Sequence, residues 1–410
     1  MYTNVCRFCG NQLNTTFVDL GMSPLANSLV KEEDLSRSET FYPLHALVCG
    51  KCFLVQLNYI HVPQDIFSDY AYFSSYSESW LQHAREFASK AVSKFRPGSD
   101  YRIIEIASND GYLLQYFKEM DLTVLGIEPS ANTAACAVKK GIPTIVDFFG
   151  TRLARSLVSQ NQEADLVIGN NVLAHVPEIN DFVEGMKIIL KPYGTIVMEF
   201  PHLLKLIERN QFDTIYHEHY SYISLLAADK IFRAHGLCIY DVEEIPTHGG
   251  SLRIYAGHEG VFAEKVSCSV KKVINDEIEF GLNRLETYGR FYEKVRRTKY
   301  NILELLIKIK SNNKEIAGYG APAKGNTLLN YCGIGPEFIS YTVDRNPYKQ
   351  GKYLPGTHIP VFSPEKIRET KPDYVFVLPW NLSDEIIRQM AYIREWGGKF
   401  IIPVPEVEVM

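Results

Sequence analysis

Two short Cys-x-x-Cys pairs, Cys6/Cys9 and Cys49/Cys52, constrain the amino-terminal fold more than any other feature of the chain. Each pair brackets a two-residue turn, Arg7-Phe8 and Gly50-Lys51, which lets two sulfurs converge on one ion. Two such knuckles are the expected pattern for tetrahedral zinc held by four thiolates. A four-thiolate site is coordinatively full, so its expected role is structural, with no open position for a substrate. The stretch from 10 to 48 exceeds a common zinc-ribbon gap, but a small β module can fill it. A redox Cys-x-x-Cys is the rival reading, opposed by the two copies near the amino terminus and the lack of a βαβ setting. Cys136, Cys238, Cys268 and Cys332 are scattered singly, whereas a secreted disulfide scaffold would be smaller and denser in cysteine.

A chain of 410 residues leaves room for two or three domains. With 46% hydrophobic and 22% charged residues it has the composition of a globular protein. Forty-three basic against 48 acidic residues leave a net charge of -5, which argues against a nucleic-acid partner. No apolar run approaches 18 residues, so no membrane-spanning helix is expected. The opening MYTNVCRFCG does not read as a signal peptide, and the expected compartment is the cytoplasm.

The pattern divides the chain into a zinc module over residues 1–75, an α/β unit over 76–274 and a second α/β unit with linking helices over 275–410. HALVCGKCFLVQLNYI reads as strands beside the knuckles. DYAYFSSYSESW, which holds Tyr70, Tyr72 and Tyr76, is either plain packing or a ligand wall. From Ser77 the apolar spacing is helical as far as Pro97-Gly98. Beyond Tyr101, strands rich in Val, Ile and Leu alternate with helices, the signature of a doubly wound parallel sheet. Ligands on such sheets bind at the carboxyl ends of the strands. A charged amphipathic stretch from about Asn275 to Lys310 reads as one or two interdomain helices, followed by strands in KEIAGYG, DYVFVLPW and KFIIPVPEV.

Candidate ligand residues fall at those strand ends. Glu105-Ile106-Ala107-Ser108-Asn109-Asp110-Gly111 forms the first strand-to-turn, where backbone can approach a cofactor closely. Glu128 ends the second strand, where a carboxylate can accept both ribose hydroxyl protons. Asp147 follows the third strand and can meet an adenine amino group, with Phe148 stacking on the ring; Asn170 ends the fourth. This unit resembles the S-adenosylmethionine-binding domain of class I methyltransferases, a Rossmann-like fold. Its turn departs from the usual motif, with Ala107 and Asn109 where glycines are commoner.

Downstream, FDTIYHEHYSYIS, EEIPTHGGSLRIY and YGAPAKGNTLLNYCG resemble the sugar C-methyltransferases that act on nucleotide-linked deoxysugars. The resemblance covers essentially the whole chain in the same domain order. It implies a zinc module, a central methyltransferase domain and a carboxyl-terminal Rossmann-like α/β domain. It also implies a dTDP-linked 4-keto-deoxysugar as substrate, methylated at C-3, and it places Tyr216, Glu218, His219, His175 and Tyr70 at the active site. Carbon attacks a sulfonium methyl only after becoming an enolate. A positioned base supplies about 10²–10⁴-fold and one oxyanion donor about 2.7–4 kcal/mol. His219 is the expected base, because imidazole titrates near neutrality. Glu218 orients it or binds the sugar, and Tyr216 or His175 donates to the enolate oxygen. In an extended strand Tyr216, Glu218 and Tyr220 share one face and His217 and His219 the other; a turn would break that division. His175 as a satisfied structural histidine and His217/His219 as a metal pair are the competing readings.

For the substrate, His248-Gly249-Gly250-Ser251 with Arg253 is either a hairpin turn or a phosphate cradle. Tyr72 and Lys324 complete the expected substrate contacts. The competing function is an NAD-dependent oxidoreductase, since Gly318-Tyr319-Gly320 follows a strand and Asp344 ends the next. Gly325 comes five residues after Gly320, where that fingerprint wants three, and Lys324 suits a nucleotide pyrophosphate instead. A non-catalytic zinc scaffold is disfavoured by the His-Glu-His-Tyr cluster. The expected partner is a small molecule, with no nucleic acid and no membrane, on a monomer.

Overall fold

The structure is a computed structural model that describes residues 4–59, 73–98 and 100–410. At its centre lies a seven-stranded sheet built from β1 (Arg102–Ile106), β2 (Thr123–Ile127), β3 (Thr144–Ile145), β4 (Ala164–Asn170), β5 (Leu190–Pro201), β6 (Leu237–Ile245) and β7 (Ser251–His258). Their order is β6-β7-β5-β4-β1-β2-β3. The pairs from β5 to β3 are all parallel, while β7 runs antiparallel to both β5 and β6. The strand order reverses between β1 and β4, so the crevice at their carboxyl ends is where this architecture places a ligand.

A helix, Glu78–Phe95, leads into the sheet. The Ser77 side chain caps it by accepting the Trp80 amide at 3.3 Å, and Ala84, Phe87, Ala88 and Ala91 form its buried stripe. It ends where Arg96 turns left-handed before Pro97. Strands β6 and β7 form a hairpin, with His248, Gly249 and Gly250 at positive φ in the connection.

The amino-terminal module is a four-stranded antiparallel sheet, Thr15–Ser23, Tyr42–Val48, Val55–Leu57 and Ser221–Tyr222. Its fourth strand is borrowed from residues far along the chain, just beyond the His-Glu-His-Tyr cluster.

Helices Cys268–Phe280 and Leu285–Ser311, separated at left-handed Gly281, form the link. The longer one buries Tyr288, Phe291, Val295, Thr298, Ile302, Leu306 and Ile309 on one face, three to four residues apart. Phe291 stacks on Phe17 of the zinc module, with ring centroids 4.6 Å apart. The carboxyl-terminal sheet has the order Val361–Phe362, Thr342–Val343, Ile316–Tyr319, Tyr374–Val377, Lys399–Ile402, Glu408–Val409, parallel except for its last strand. Its order also reverses beside its first strand, between Ile316–Tyr319 and Tyr374–Val377. Among the described residues no helix is long and apolar enough to cross a membrane.

Candidate active site

The four knuckle cysteines are brought together. Their sulfurs all lie within 4.8 Å of one another, with Cys6 and Cys52 at 3.6 Å and Cys9 and Cys49 at 3.5 Å. Zinc–sulfur bonds of about 2.3 Å at tetrahedral angles set sulfurs about 3.8 Å apart, so the cage fits zinc. Outer-sphere donors are in place as well: Gln56 Nε2 donates to Cys6 at 3.1 Å, and the Lys51 amide to Cys49 at 3.4 Å.

The turn after β1 explains its unusual sequence. Ala107, Asn109 and Gly111 have φ of 57°, 50° and 76°. Two non-glycine residues therefore adopt the conformation for which glycine is the default. Glu128 ties this turn down, accepting the Asn109 amide on Oε2 and the Ser130 amide on Oε1, both at 2.9 Å. Burial raises its carboxyl above the usual range.

Around this turn, buried polar atoms lack hydrogen bonds of ordinary geometry: both Glu105 carboxylate oxygens, Ser108 Oγ, Asp110 Oδ1 and Asn170 Oδ1. Burial pushes the Glu105 carboxyl well up, with the Tyr112 hydroxyl beside it. A crevice lined by the carboxyls of Glu105, Asp110 and Glu128 suits a ligand carrying an ammonium and a sulfonium. S-adenosylmethionine fits on that ground.

Of the adenine candidates, Phe148 is exposed, as a stacking surface must be, and Asp147 is paired with Arg152 at 2.6 Å. Asn170 Nδ2 donates to the Tyr112 hydroxyl at 3.2 Å.

The strand reading of the catalytic segment is corrected. Residues 217 and 218 lie in a turn closed by the His219 amide donating to the Tyr216 carbonyl at 2.9 Å. Tyr216 and His219, on opposite faces of an extended strand, therefore meet, with the hydroxyl 2.9 Å from Nε2. His219 Nδ1 lies 2.8 Å from the Thr214 carbonyl. A carbonyl only accepts, so Nδ1 carries the proton and Nε2 keeps its lone pair. Burial, reinforced by His175, holds His219 well below its ordinary pKa. The His175 ring meets it edge-on, centroids 4.7 Å apart, and burial lowers His175 to about 4.

His217 and Glu218 point elsewhere. His217 Nε2 bonds the Pro43 carbonyl at 3.2 Å, and Glu218 accepts from Asn27 Nδ2 at 2.6 Å. Both contacts go to the zinc module, and neither is a bond to His219. The metal-pair reading fails for the same reason, because His217 and His219 are directed apart. Tyr70 and Tyr72 lie outside the described residues.

The hairpin residues divide. His248 lies 3.2 Å from Asn171 Nδ2 and tilts against Trp80; its surroundings lower it to about 4 although solvent reaches the ring. The Gly249 carbonyl accepts from Arg209 and Gln211. Arg253 is a correction. It is buried, bonded to Glu199 at 3.0 Å and 3.4 Å from Glu243, with its guanidinium over the Phe87 ring. A guanidinium committed inside β7 is not placed to take up a phosphate.

Lys324 belongs to a cluster that the sequence did not reveal. Its amine donates to Asn381 at 2.6 Å and lies 4.5 Å over the Trp380 ring, while Trp380 Nε1 donates to Asp213 at 2.6 Å. Burial lowers Lys324 and raises Asp213 to about 6. Trp380 on Asp213 and Thr327 Oγ1, which donates to the Ile215 carbonyl at 3.1 Å, bring the start of the carboxyl-terminal unit against the segment that leads into the 216–219 turn. Asp213 stands only three residues before Tyr216, the one local signal that could have exposed it.

Family models match three successive parts of the chain: “Putative zinc binding domain” over residues 6–67, “Methyltransferase domain” over 80–242 and “C-methyltransferase C-terminal domain” over 246–405. The chain is 36% identical to C-methyltransferase NovU of Streptomyces niveus over 405 residues, 99% of this chain and 96% of that one. A ubiquinone biosynthesis O-methyltransferase of Bartonella tribocorum is 24% identical over 110 residues, 27% of this chain and 44% of its own. Among solved structures, the magnesium protoporphyrin IX methyltransferase of Synechocystis with bound SAM is 16% identical, covering 43% of this chain and 79% of that one, with a TM-score of 0.33. Near-complete coverage by NovU, the three family matches and the acid-lined crevice at the switch point agree: the chain belongs to the C-methyltransferase family, with S-adenosylmethionine as its cofactor and zinc in its amino-terminal module.

Proposed function

We propose that this C-methyltransferase acts on a nucleotide-linked 4-keto-deoxysugar, with dTDP as the nucleotide, and methylates C-3 through an enolate with His219 as the base. The observation that carries the proposal is the His219 tautomer: Nδ1–H is held by the Thr214 carbonyl, leaving Nε2 as acceptor at the cleft beside Tyr216 and His175. Nε2 takes the proton from the carbon next to the ketone, the electron pair of that C–H bond becomes the carbon–carbon π bond of the enolate, and the carbonyl π pair moves onto the ketone oxygen. With Nδ1 protonated, the Tyr216 O–H donates to Nε2. For the reaction that hydroxyl turns from Nε2 to the developing oxyanion, which frees the lone pair for the C–H proton. The His175 ring, edge-on to His219, is the second candidate donor. Bound S-adenosylmethionine supplies an electrophilic methyl to the carbon. Glu105, the 107–111 turn, Glu128, Asp147, Phe148 and Asn170 are the residues that would hold it.

Lys324 supports the nucleotide part of the reading. It stands in the first turn of the helix after the first strand of the second sheet, joined through Trp380 to Asp213, and is the amine that would meet a sugar diphosphate. His248 and Gly249, in the β6–β7 connection beside Asn171 and Arg209, are the further substrate contacts of this reading.

The test is exchange of the substrate's α-proton in heavy water together with methylation. His219→Asn is expected to lose both by about 10²–10⁴-fold while binding cofactor normally. Near-normal turnover in that variant, or a methyl group on oxygen or nitrogen of the product, would overturn the proposal.

A further inference from the structure

The catalytic turn is held from outside its own domain. The peptide of Tyr220, next to His219, receives the Leu57 amide on its carbonyl at 3.0 Å, and its own amide donates to the Ala174 carbonyl, beside His175, at 2.8 Å. Ser221 pairs with Gln56 as the edge of the zinc-module sheet. Gln56 is fully buried, and its side chain faces the knuckle: Nε2 donates to Cys6 Sγ at 3.1 Å and Oε1 accepts the Arg7 amide at 3.0 Å. Arg7, between the two cysteines of the first knuckle, reaches across the join. Its guanidinium donates to the Leu57 carbonyl at 2.8 Å, to the Tyr220 carbonyl and to Ser221 Oγ at 3.1 Å. On the other side of the knuckle, Asn180 Nδ2 donates to the carbonyls of Arg7 and Phe8, at 3.2 and 2.9 Å.

We infer that Arg7 is a positioning residue for methyl transfer: by clasping the Tyr220 carbonyl and the Ser221 hydroxyl, it transmits the geometry of the zinc knuckle to His219. Zinc then does more than hold its own module together. With the four thiolates gathered, the Arg7 backbone is fixed by Gln56 and Asn180, and its fork meets three acceptors whose relative positions set where the turn sits. Guanidinium suits this task because its donors are planar and preorganised, whereas an ammonium is a single point. A catalytic group displaced by about 1 Å costs about 10²-fold in rate. The proposal rests on the assignment of His219 as the base, so its test needs a signal independent of turnover.

The experiment uses full-length, zinc-loaded Arg7→Met and Arg7→Lys, with the His219 Nδ1–H proton resonance assigned by its loss in His219→Asn. Arg7→Met is expected to keep one zinc per chain and wild-type affinity for S-adenosylmethionine, to lose about 10²-fold in kcat and to shift the His219 resonance. Arg7→Lys should recover part of both effects. Normal kcat with an unmoved resonance overturns the proposal, and so does a fall in kcat that leaves the resonance in place. Should Arg7→Met lose its zinc, Ser221→Ala carries the test. It removes only the hydroxyl partner and is expected to cost about fivefold in kcat, and an unchanged kcat and resonance there overturn the proposal. Full activity in His219→Asn would end the base assignment while leaving the resonance measurement intact, so the two readings fail separately.

Discussion

The two α/β sheets use one device to opposite ends. In the central sheet Glu128 ends the second strand and accepts the amides of Asn109 and Ser130 at 2.9 Å. In the carboxyl-terminal sheet Asp344 follows the second strand and accepts the amides of Ala321 and Asn346 at 2.7 and 2.8 Å. Each acid ties down the turn after the first strand of its sheet. The crevices beside them differ. Near Glu128, the polar atoms of Glu105, Ser108, Asp110 and Asn170 are left for a ligand. Near Asp344, Lys349 bonds the Ala321 carbonyl at 2.8 Å and stands 3.9 Å from the Asp344 carboxylate. A Cβ on Gly320 would come within 2.6 Å of Pro379. Strand order provides a place for a ligand in both units. Beside Asp344 the lysine bridges the turn, and a cavity of about 480 Å³ lined by Tyr319, Arg345, Ser363 and Arg368 opens at the same strand ends. The central crevice is acceptor-rich instead.

The largest expected difference between them is in cofactor affinity. Glu128→Ala removes the carboxylate proposed to accept the ribose hydroxyls and also releases the turn that it fixes. Loss of two charge-assisted hydrogen bonds predicts S-adenosylmethionine binding weakened by about 10²-fold. Calorimetric titration checks this, and unchanged affinity would break the parallel by removing ligand binding from the central device.

Much of this comparison was legible in the sequence because strand ends are local features. β1, β2 and β4 announce themselves as apolar runs, and polar residues gather at their carboxyl ends: Asn109 and Asp110, Glu128, and Asn170. What stayed hidden was backbone sign and long-range pairing. Ala107 and Asn109 look like departures from a glycine motif, yet the tie to Glu128 and the packing of the turn hold both at positive φ. The period-two reading of residues 216–220 failed because two residues turn, a choice fixed by the zinc module through Asn27 and Pro43. Arg253 misled because a cation after a glycine turn reads as a phosphate ligand until its buried partners are known. The Asp213–Trp380–Lys324 cluster joins residues more than a hundred positions apart, and no local pattern carries it.

A second, smaller effect separates the two sides of the join between the units by pH. Burial lowers His175 to about 4, below the unfolded value of 6.5, and lowers His219 as well. Between about 4 and 6.5 the unfolded chain then binds more protons at these sites than the folded one. Their contribution to stability therefore falls as pH drops through that window. Asp213, raised from 3.8 to about 6 on the carboxyl-terminal side, has the opposite sign and gains stability over the same descent. Thermal unfolding at pH 7 and pH 5 should show a net loss, reduced in His175→Asn and enlarged in Asp213→Asn. If His219 is the base, its lowering by burial predicts no midpoint near 6.5 in the pH profile of methylation, and such a midpoint would mean that His219 titrates with no shift from its surroundings.

The smallest expected effect is the sharpest test of the comparison. Asp344→Asn keeps an acceptor oxygen for the Ala321 amide and removes the charge that faces Lys349. If only the central crevice holds the cofactor, S-adenosylmethionine affinity should be unchanged within error and NAD should bind neither the parent nor the variant. Lys349→Ala goes further by withdrawing the amine from the Ala321 carbonyl, and is expected to leave cofactor affinity equally untouched. Calorimetry with both nucleotides on both variants decides the matter. A loss of S-adenosylmethionine binding in Asp344→Asn would mean that the two crevices are energetically coupled. NAD binding to the parent chain would mean that the lysine bridge at Asp344 does not keep a dinucleotide from the second turn. In either case the contrast between an acceptor-rich turn and a lysine-bridged one would have to be abandoned as the reason for cofactor choice between the sheets.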